Sequence, residues 1–277
     1  LAAAVGASDA REMADRVASY RIAVTLSPAD HTLSGRETLT WRNVTGAPTD
    51  EMRFHLYLNA FKNDRTTFMK ESRGSSRGNR AREGEWGWID VVSMKLADGS
   101  DLLAGAQFIR PDDGNPDDET VLRVALPRPV APGESLDLEI EFAARLPRVF
   151  ARTGYKGDFY FAGQWFPKVG VLQESGWNCH QFHNHSEFFS DFGLYDVQIT
   201  VPSDYVVGAT GAQTAPPAAN ADGTSTWHFA QDDVHDFAWT VMPKGSWAVE
   251  RKDYRKVQVF YFFQPNHLNT LKRQKEA

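Results

Sequence analysis

Alternation with a period of two is the feature that most constrains this chain: it runs from about Val17 to Phe263, with turn residues between the segments. Successive side chains of a strand point to opposite faces, so apolar residues at every second position mark a sheet with one buried face. In Tyr20-Arg21-Ile22-Ala23-Val24-Thr25-Leu26, the residues Tyr20, Ile22, Val24 and Leu26 share a face. Pro28 to His31 supply a turn, and Leu39, Trp41 and Val44 follow in a second strand that pairs with the first as a hairpin. Met52, Phe54, Leu56 and Leu58 alternate with Arg53, His55 and Tyr57 in a third. Leu136, Leu138, Ile140 and Phe142 alternate with Asp137, Glu139 and Glu141, a half-buried antiparallel strand with a solvated face. The pattern recurs over 194–201, 205–210, 226–230, 237–242, 247–251 and 257–263, with breakers such as Asp222-Gly223 and Lys244-Gly245 between. Many short strands with turn signals between them predict an all-β fold, an antiparallel β-sandwich or a curved open sheet. Helical signal is confined to 9–17, the stretch after Phe61, and the end of the chain after Pro265.

Composition excludes several function classes. Net charge is −6 over 277 residues, so no global positive field recruits nucleic acid, and no nucleic-acid partner is expected. The longest apolar runs, such as Val259 to Phe263, fall far short of the roughly 20 residues a membrane-spanning helix needs. The single cysteine, Cys179, excludes an intrachain disulfide and a CxxC zinc ribbon. The chain opens on Leu1, and its Ala/Gly-rich start to Ala7 reads either as the tail of a secretory signal or as a flexible linker; a periplasmic or extracellular location is slightly favoured. At the other end, Leu268 and Leu271 share a face of a helix that has no cap, so residues 265–277 read as a helix cut off in its first turns and the chain as a fragment. The organisation expected is an extension or linker over 1–16, one β domain over 17–264, and the start of a helix over 265–277.

Three segments resist strand assignment. The Arg/Gly-rich stretch 62–83 reads as a solvated loop rather than an RNA-binding one. The carboxylate-dense stretch 111–119 lacks EF-hand spacing and reads as a turn rather than a calcium loop. The third, 155–191, crowds aromatics, amides and histidines into a long connection, and such connections are functional more often than not. Cys179, His180, His183 and His185 invite a metal reading, since His183 and His185 would share a face of an extended strand. Hydrogen-bonded packing around Trp177, Phe182 and Phe188 is the alternative and the better supported, because no known ligand spacing is reproduced. There is no GxSxG elbow, no GxGxxG and no P-loop, so neither a serine nucleophile nor a nucleotide site is visible.

Several peptides together resemble the N-terminal domain of the aminopeptidase-N-like (gluzincin) zinc metallopeptidase family, in a bacterial branch. They are Tyr20-Arg21-Ile22 with Gly35 to Trp41, Phe54 to Phe61, Gln164-Trp165-Phe166-Pro167-Lys168, Glu187 to Val197, Val207 to Gly211, and Asp236-Phe237-Ala238-Trp239. The resemblance implies a saddle-shaped β domain followed by a catalytic domain whose zinc sits on HExxH and a later Glu, with an exopeptidase GxMEN motif. None of these motifs occurs in this chain, so zinc is expected in the full-length parent, and the fragment alone is not expected to hydrolyse peptides. Its partners would be its own catalytic domain and a peptide substrate. In the family a loop of this domain reaches the active site, where a Gln or Glu helps hold the substrate's free α-amino group. The matching stretch implies Gln164 as that residue, with Trp165 lining the same cleft; the usual anchoring residue stands two positions later, where this chain has Phe166. An amide beside an aromatic suits an ammonium through a hydrogen bond and a cation–π contact. Read from the residues alone, Gln164 equally caps a strand while Trp165 packs in the core. The reading the sequence favours is therefore a non-catalytic, substrate-positioning domain of a zinc peptidase. Its alternative is a free-standing β-sandwich module that binds peptide or carbohydrate on Trp165, Trp177 and nearby aromatics.

Overall fold

The computed structural model describes residues 13–255, 257–269 and 272–273. Its largest unit is a seven-stranded sheet in the spatial order Ala212–Ala219, Thr224–Val234, Gly193–Pro202, Ala18–Ser27, Thr32–Arg42, Ser135–Arg145, Trp88–Leu96. The expected first hairpin is present, antiparallel, with Tyr20 opposite Leu39 and Ile22 opposite Glu37. One pairing departs from the antiparallel expectation: Ala18–Ser27 lies parallel to Gly193–Pro202, Tyr20 beside Tyr195. That junction is close. A Cβ added to Gly193 would lie 1.8 Å from the Ala18 carbonyl oxygen, so only glycine lets the two backbones meet there.

Two four-stranded sheets complete the frame. One runs Gly154–Lys156, Phe159–Ala162, Trp239–Pro243, Tyr205–Ala209; the other Lys168–Val169, Thr49–His55, Val121–Val130, Gln107–Ile109. Tyr20, Ile22, Leu39, Leu138 and Phe142 from the large sheet share one hydrophobic cluster with Phe54, Val124, Tyr160 and Trp239 from the smaller ones. Burying the apolar rows of several sheets against each other is what makes an all-β sandwich, and that expectation holds.

Differences from the sequence expectation have local causes. The second strand ends at Arg42, and Val44 is exposed. Asn43 turns the chain: its amide donates to the Ala47 and Val130 carbonyls while its Oδ1 accepts from Thr45. The third strand ends at His55, and Leu56 and Leu58 leave the alternation because 57–61 forms a 3-10 turn whose five residues are all buried. Period two reports a half-buried strand and fails where both sides are covered. Residues 13–17 carry no helix, and the rest of the helical stretch expected over 9–17 lies outside the described residues. After Phe61 the expected helix does form, Thr67–Ser72, with the Thr66 hydroxyl capping Met69 N. After Pro265 the chain makes a 3-10 turn, Pro265–His267, while 270–271 and 274–277 lie outside the described residues. Ala212–Ala219 gave no apolar alternation, being exposed throughout; with two prolines it can only be an edge strand, and it is one.

Candidate functional site

The connection from 163 to 191 leaves the Phe159–Ala162 strand at a tight corner. A Cβ on Gly163 would meet the Arg152 carbonyl oxygen at 2.7 Å, so the chain passes flat against its neighbour. The next residue, Gln164, has φ +56°, a left-handed conformation that costs a side-chain-bearing residue about 1 kcal/mol or more. Among the described non-glycine residues with positive φ, Gln164 is the buried one, 8% exposed; the others have more access to solvent.

Three polar side chains converge behind this corner. Gln164 Nε2 donates to Asp236 Oδ2. Asp236 Oδ1 accepts from the Phe237 backbone N–H at 2.8 Å and lies 2.8 Å from Lys168 Nζ. Lys168 is 1% exposed, and its ammonium also donates to the His235 carbonyl at 3.2 Å and Ser190 Oγ at 3.4 Å, with the Phe166 ring centroid 5.6 Å away. Burial pulls the Lys168 ammonium below its ordinary value, and Asp236 opposes that pull. One buried charge is thus matched by one carboxylate and two neutral acceptors, the condition under which a lysine can be kept inside. Gln164 Oε1, by contrast, is buried without a hydrogen-bond donor. Close by in sequence, burial raises the Asp191 carboxyl to about 6.

Trp165 is fully buried, its Nε1 donating to the Phe237 carbonyl at 2.9 Å and its ring packed on Phe142, Phe166 and Trp239. Within this chain it is a core residue that fixes the Gln164 corner from beneath. Trp177 stacks on Trp41 at 5.8 Å, so the two tryptophans named for a ligand platform share no exposed surface.

The cysteine and histidines are separated by their partners. Cys179 is buried, its Sγ 3.7 Å from His55 Nδ1. Burial drives that thiol upward and the His55 imidazole down to about 3, so both stay neutral. His180 Nδ1 lies 2.6 Å from Asp112 Oδ1. His183 bridges Glu71 at 2.7 Å and the other oxygen of Asp112 at 3.2 Å, while His185 contacts the Asn184 amide. Residues 180–189 form no strand, which removes the shared face the metal reading needed. Among the described residues no group of three or more His, Cys, Asp or Glu side chains is placed to hold a metal ion. The carboxylates of 111–119 are likewise engaged by protein donors: Asp113 by Thr67, Asp117 by Arg65, Asp118 by Thr120, Glu119 by Lys62. The same segment walls a pocket of about 320 Å³ lined by His55, Tyr57, Asp112, Phe182, Phe188 and Phe189 among others.

Sequence reading had named Gln164 but neither of the residues that hold it. Lys168 was one letter of a motif and Asp236 part of an acidic turn; their signal was a lysine and an aspartate beside core aromatics, Phe166 and Phe237, with the lysine buried and the aspartate only partly exposed.

No protein-family model matches the chain, and no curated protein matches it. Solved structures do. An M1 zinc metallopeptidase from Deinococcus radiodurans matches at 17% identity and TM-score 0.51, over 90% of this chain and 47% of that one. A mutant of that enzyme bound to a Tyr-Ser-Ala substrate matches at 16% identity and TM-score 0.50, over 90% of this chain and 48% of that one. This chain therefore spans about half the length of the structures it matches, and at such identity the likeness shows a shared fold: the all-β frame described above occurs as part of zinc metallopeptidases.

Proposed function

We propose that this chain is the amino-terminal, non-catalytic β domain of a zinc-dependent peptidase of aminopeptidase type, and that it positions peptide substrates for a catalytic domain. The observation that carries the reading is Gln164: a buried amide with a free acceptor oxygen, held at a strained corner of the fold. An acceptor of that kind is suited to a peptide's protonated α-amine. Trp165 serves from below, as the wall that keeps the corner in place. No residue of this chain is assigned to zinc; a zinc ion would lie in the catalytic domain and supply Lewis-acid activation of the scissile carbonyl and its attacking water. The part played by this chain is to bind and orient the substrate.

The test has two stages. The coding sequence read past the codon for Ala277 should continue into an HExxH helix and a later helix bearing a glutamate; a stop codon there would leave the fold as ancestry and the peptidase role without a carrier. In the longer protein, Gln164→Ala should raise KM for peptides with a free amino terminus by about tenfold, the loss of one hydrogen bond to a charged group of about 1.5 kcal/mol. Unchanged kinetics would remove Gln164 from the substrate site.

A further inference from the structure

We infer that Lys168 and Asp236 are positioning residues that fix which end of the Gln164 amide faces the substrate, and so select a free ammonium terminus over an acylated one. The inference deepens, and rests on, the reading of Gln164 as the amine-binding residue. A glutamine amide has a donor end and an acceptor end that differ little in shape, and a freely turning one would greet a donor or an acceptor equally. At Gln164 the choice is made from behind. Asp236 offers carboxylate oxygens, which accept and do not donate, so the NH2 end must turn toward it. The carboxylate cannot swing away to release the amide, because its other oxygen is held at 2.8 Å by the buried Lys168 ammonium and at 2.8 Å by Phe237 N. Lys168 in turn is anchored on the His235 carbonyl and Ser190 Oγ. The outcome is a carbonyl oxygen, Oε1, buried and without a donor.

The ion pair is neutral as a unit, so the device attracts an ammonium through a fixed dipole rather than a net charge. An N-acetylated terminus presents a single amide N–H and a carbonyl oxygen; that oxygen would meet Oε1 acceptor to acceptor. Breaking the relay frees the amide to turn and should blunt the distinction.

The experiment uses the 277-residue chain, with nitrogen-15 NMR of the Gln164 side-chain NH2 and titration with Ala-Ala-Ala and its N-acetyl form. Asp236→Asn removes the anchoring carboxylate. The double variant Lys168→Met, Asp236→Asn removes both charges, so that no lone buried charge compromises folding. In the native chain the Gln164 NH2 protons should exchange with solvent at least tenfold more slowly than in either variant, with the backbone spectrum preserved. The free-amine peptide should shift the Gln164 signals at a concentration at least tenfold lower than the acetylated peptide does, and that ratio should fall toward one in the variants. Identical NH2 exchange in native and variant chains would overturn the positioning role. Protected NH2 protons in the native chain, with no preference for the free amine, would leave the relay standing and overturn the amine-binding reading of Gln164 beneath it.

Discussion

Glu37 sits at 0% exposure in the middle of Thr32–Arg42, between Ile22 on one neighbouring strand and Ile140 on the other, and neither carboxyl oxygen has a hydrogen-bond partner. Burial alone pushes its carboxyl well above the usual value of 4.5. Replacing it by methionine, close in volume and unbranched, removes an unpaired polar group from the core at little packing cost. At about pH 3.5, where Glu37 is protonated in the folded chain and largely so in the unfolded one, the gain should be about 1–3 kcal/mol, the cost of a buried polar group without a partner. The gain should then grow with pH. Above the ordinary glutamate value the unfolded chain has released this proton while the folded chain keeps it, so the unfolded state binds fewer protons and native stability falls as pH rises. The contribution is fully present below the unfolded value and is lost progressively until the folded group ionises. Its slope is about 1.4 kcal/mol per pH unit, so the advantage of Glu37→Met should widen by about that much between roughly pH 5.5 and 6.5. Urea unfolding followed by tryptophan fluorescence measures both numbers. Parallel stability curves, or a variant less stable than the native chain throughout, would mean that the carboxyl has a donor or a counter-charge, and the reasoning would fail.

Three further outcomes follow from the same geometry. Burial depresses the His183 imidazole, but hydrogen bonds to Glu71 and Asp112 outweigh it and raise the group above 6.5; the tie of 180–189 to the Thr67–Ser72 helix and the acidic loop is therefore complete below 6.5 and lost as pH climbs through the raised value. Amide exchange over 180–189, corrected for intrinsic rate, should accelerate across that window in the native chain and stay flat in His183→Gln; an imidazole titrating at or below 6.5 by NMR would refute it. Gly193→Ala forces a methyl group to within 1.8 Å of the Ala18 carbonyl oxygen and should cost more than about 3 kcal/mol by breaking the parallel junction, so a soluble variant with an unchanged melting temperature would contradict the register. Cys179, buried and with its thiol pushed up, should react with an aromatic disulfide reagent at least about 100-fold more slowly in the native chain than in urea, and equal rates would show the site to be open.

What the sequence shows and hides follows from what each residue faces. Tyr20 to Leu26 and Leu136 to Phe142 were legible because each strand has a wet face and a dry one, and the alternation is the direct record of that boundary. His55 to Phe61 was misread because covering both sides erases the record. Glu37 was readable and unread: the period that puts Leu33, Leu39 and Trp41 on the core row puts Glu37 on the same row, so the strand assignment already implied a buried carboxyl. The histidine cluster was read mainly as hydrogen-bonded packing, but its partners could not be read locally: carboxylates from two other segments take the rings, Asp112 serving both His180 and His183 and Glu71 adding to His183.

The Gln164 corner could not be read from any window of sequence, because its parts are brought together by the frame. The 72-residue gap between Gln164 and Asp236 is closed within one small sheet, where Phe159–Ala162 pairs with Trp239–Pro243 and Ala162 stands opposite Trp239, while Lys168 reaches them from a strand of the other small sheet, beside His55. Elsewhere in the chain local preference and fold agree: the alternation matches the sheets, Thr66 caps its helix, and prolines sit on an edge. At this corner they disagree, since a glutamine takes a conformation better suited to glycine, a lysine is buried, and an amide oxygen is left without a donor. Each departure costs free energy, and a fold with no use for the corner would gain from Gln164→Gly, which relaxes the backbone and removes the orphaned oxygen together. If that substitution stabilises the chain by about 1 kcal/mol or more while abolishing its preference for a free amino terminus, the strain is the cost of recognition; if it destabilises the chain, the corner is structural and the glutamine is there to hold Asp236.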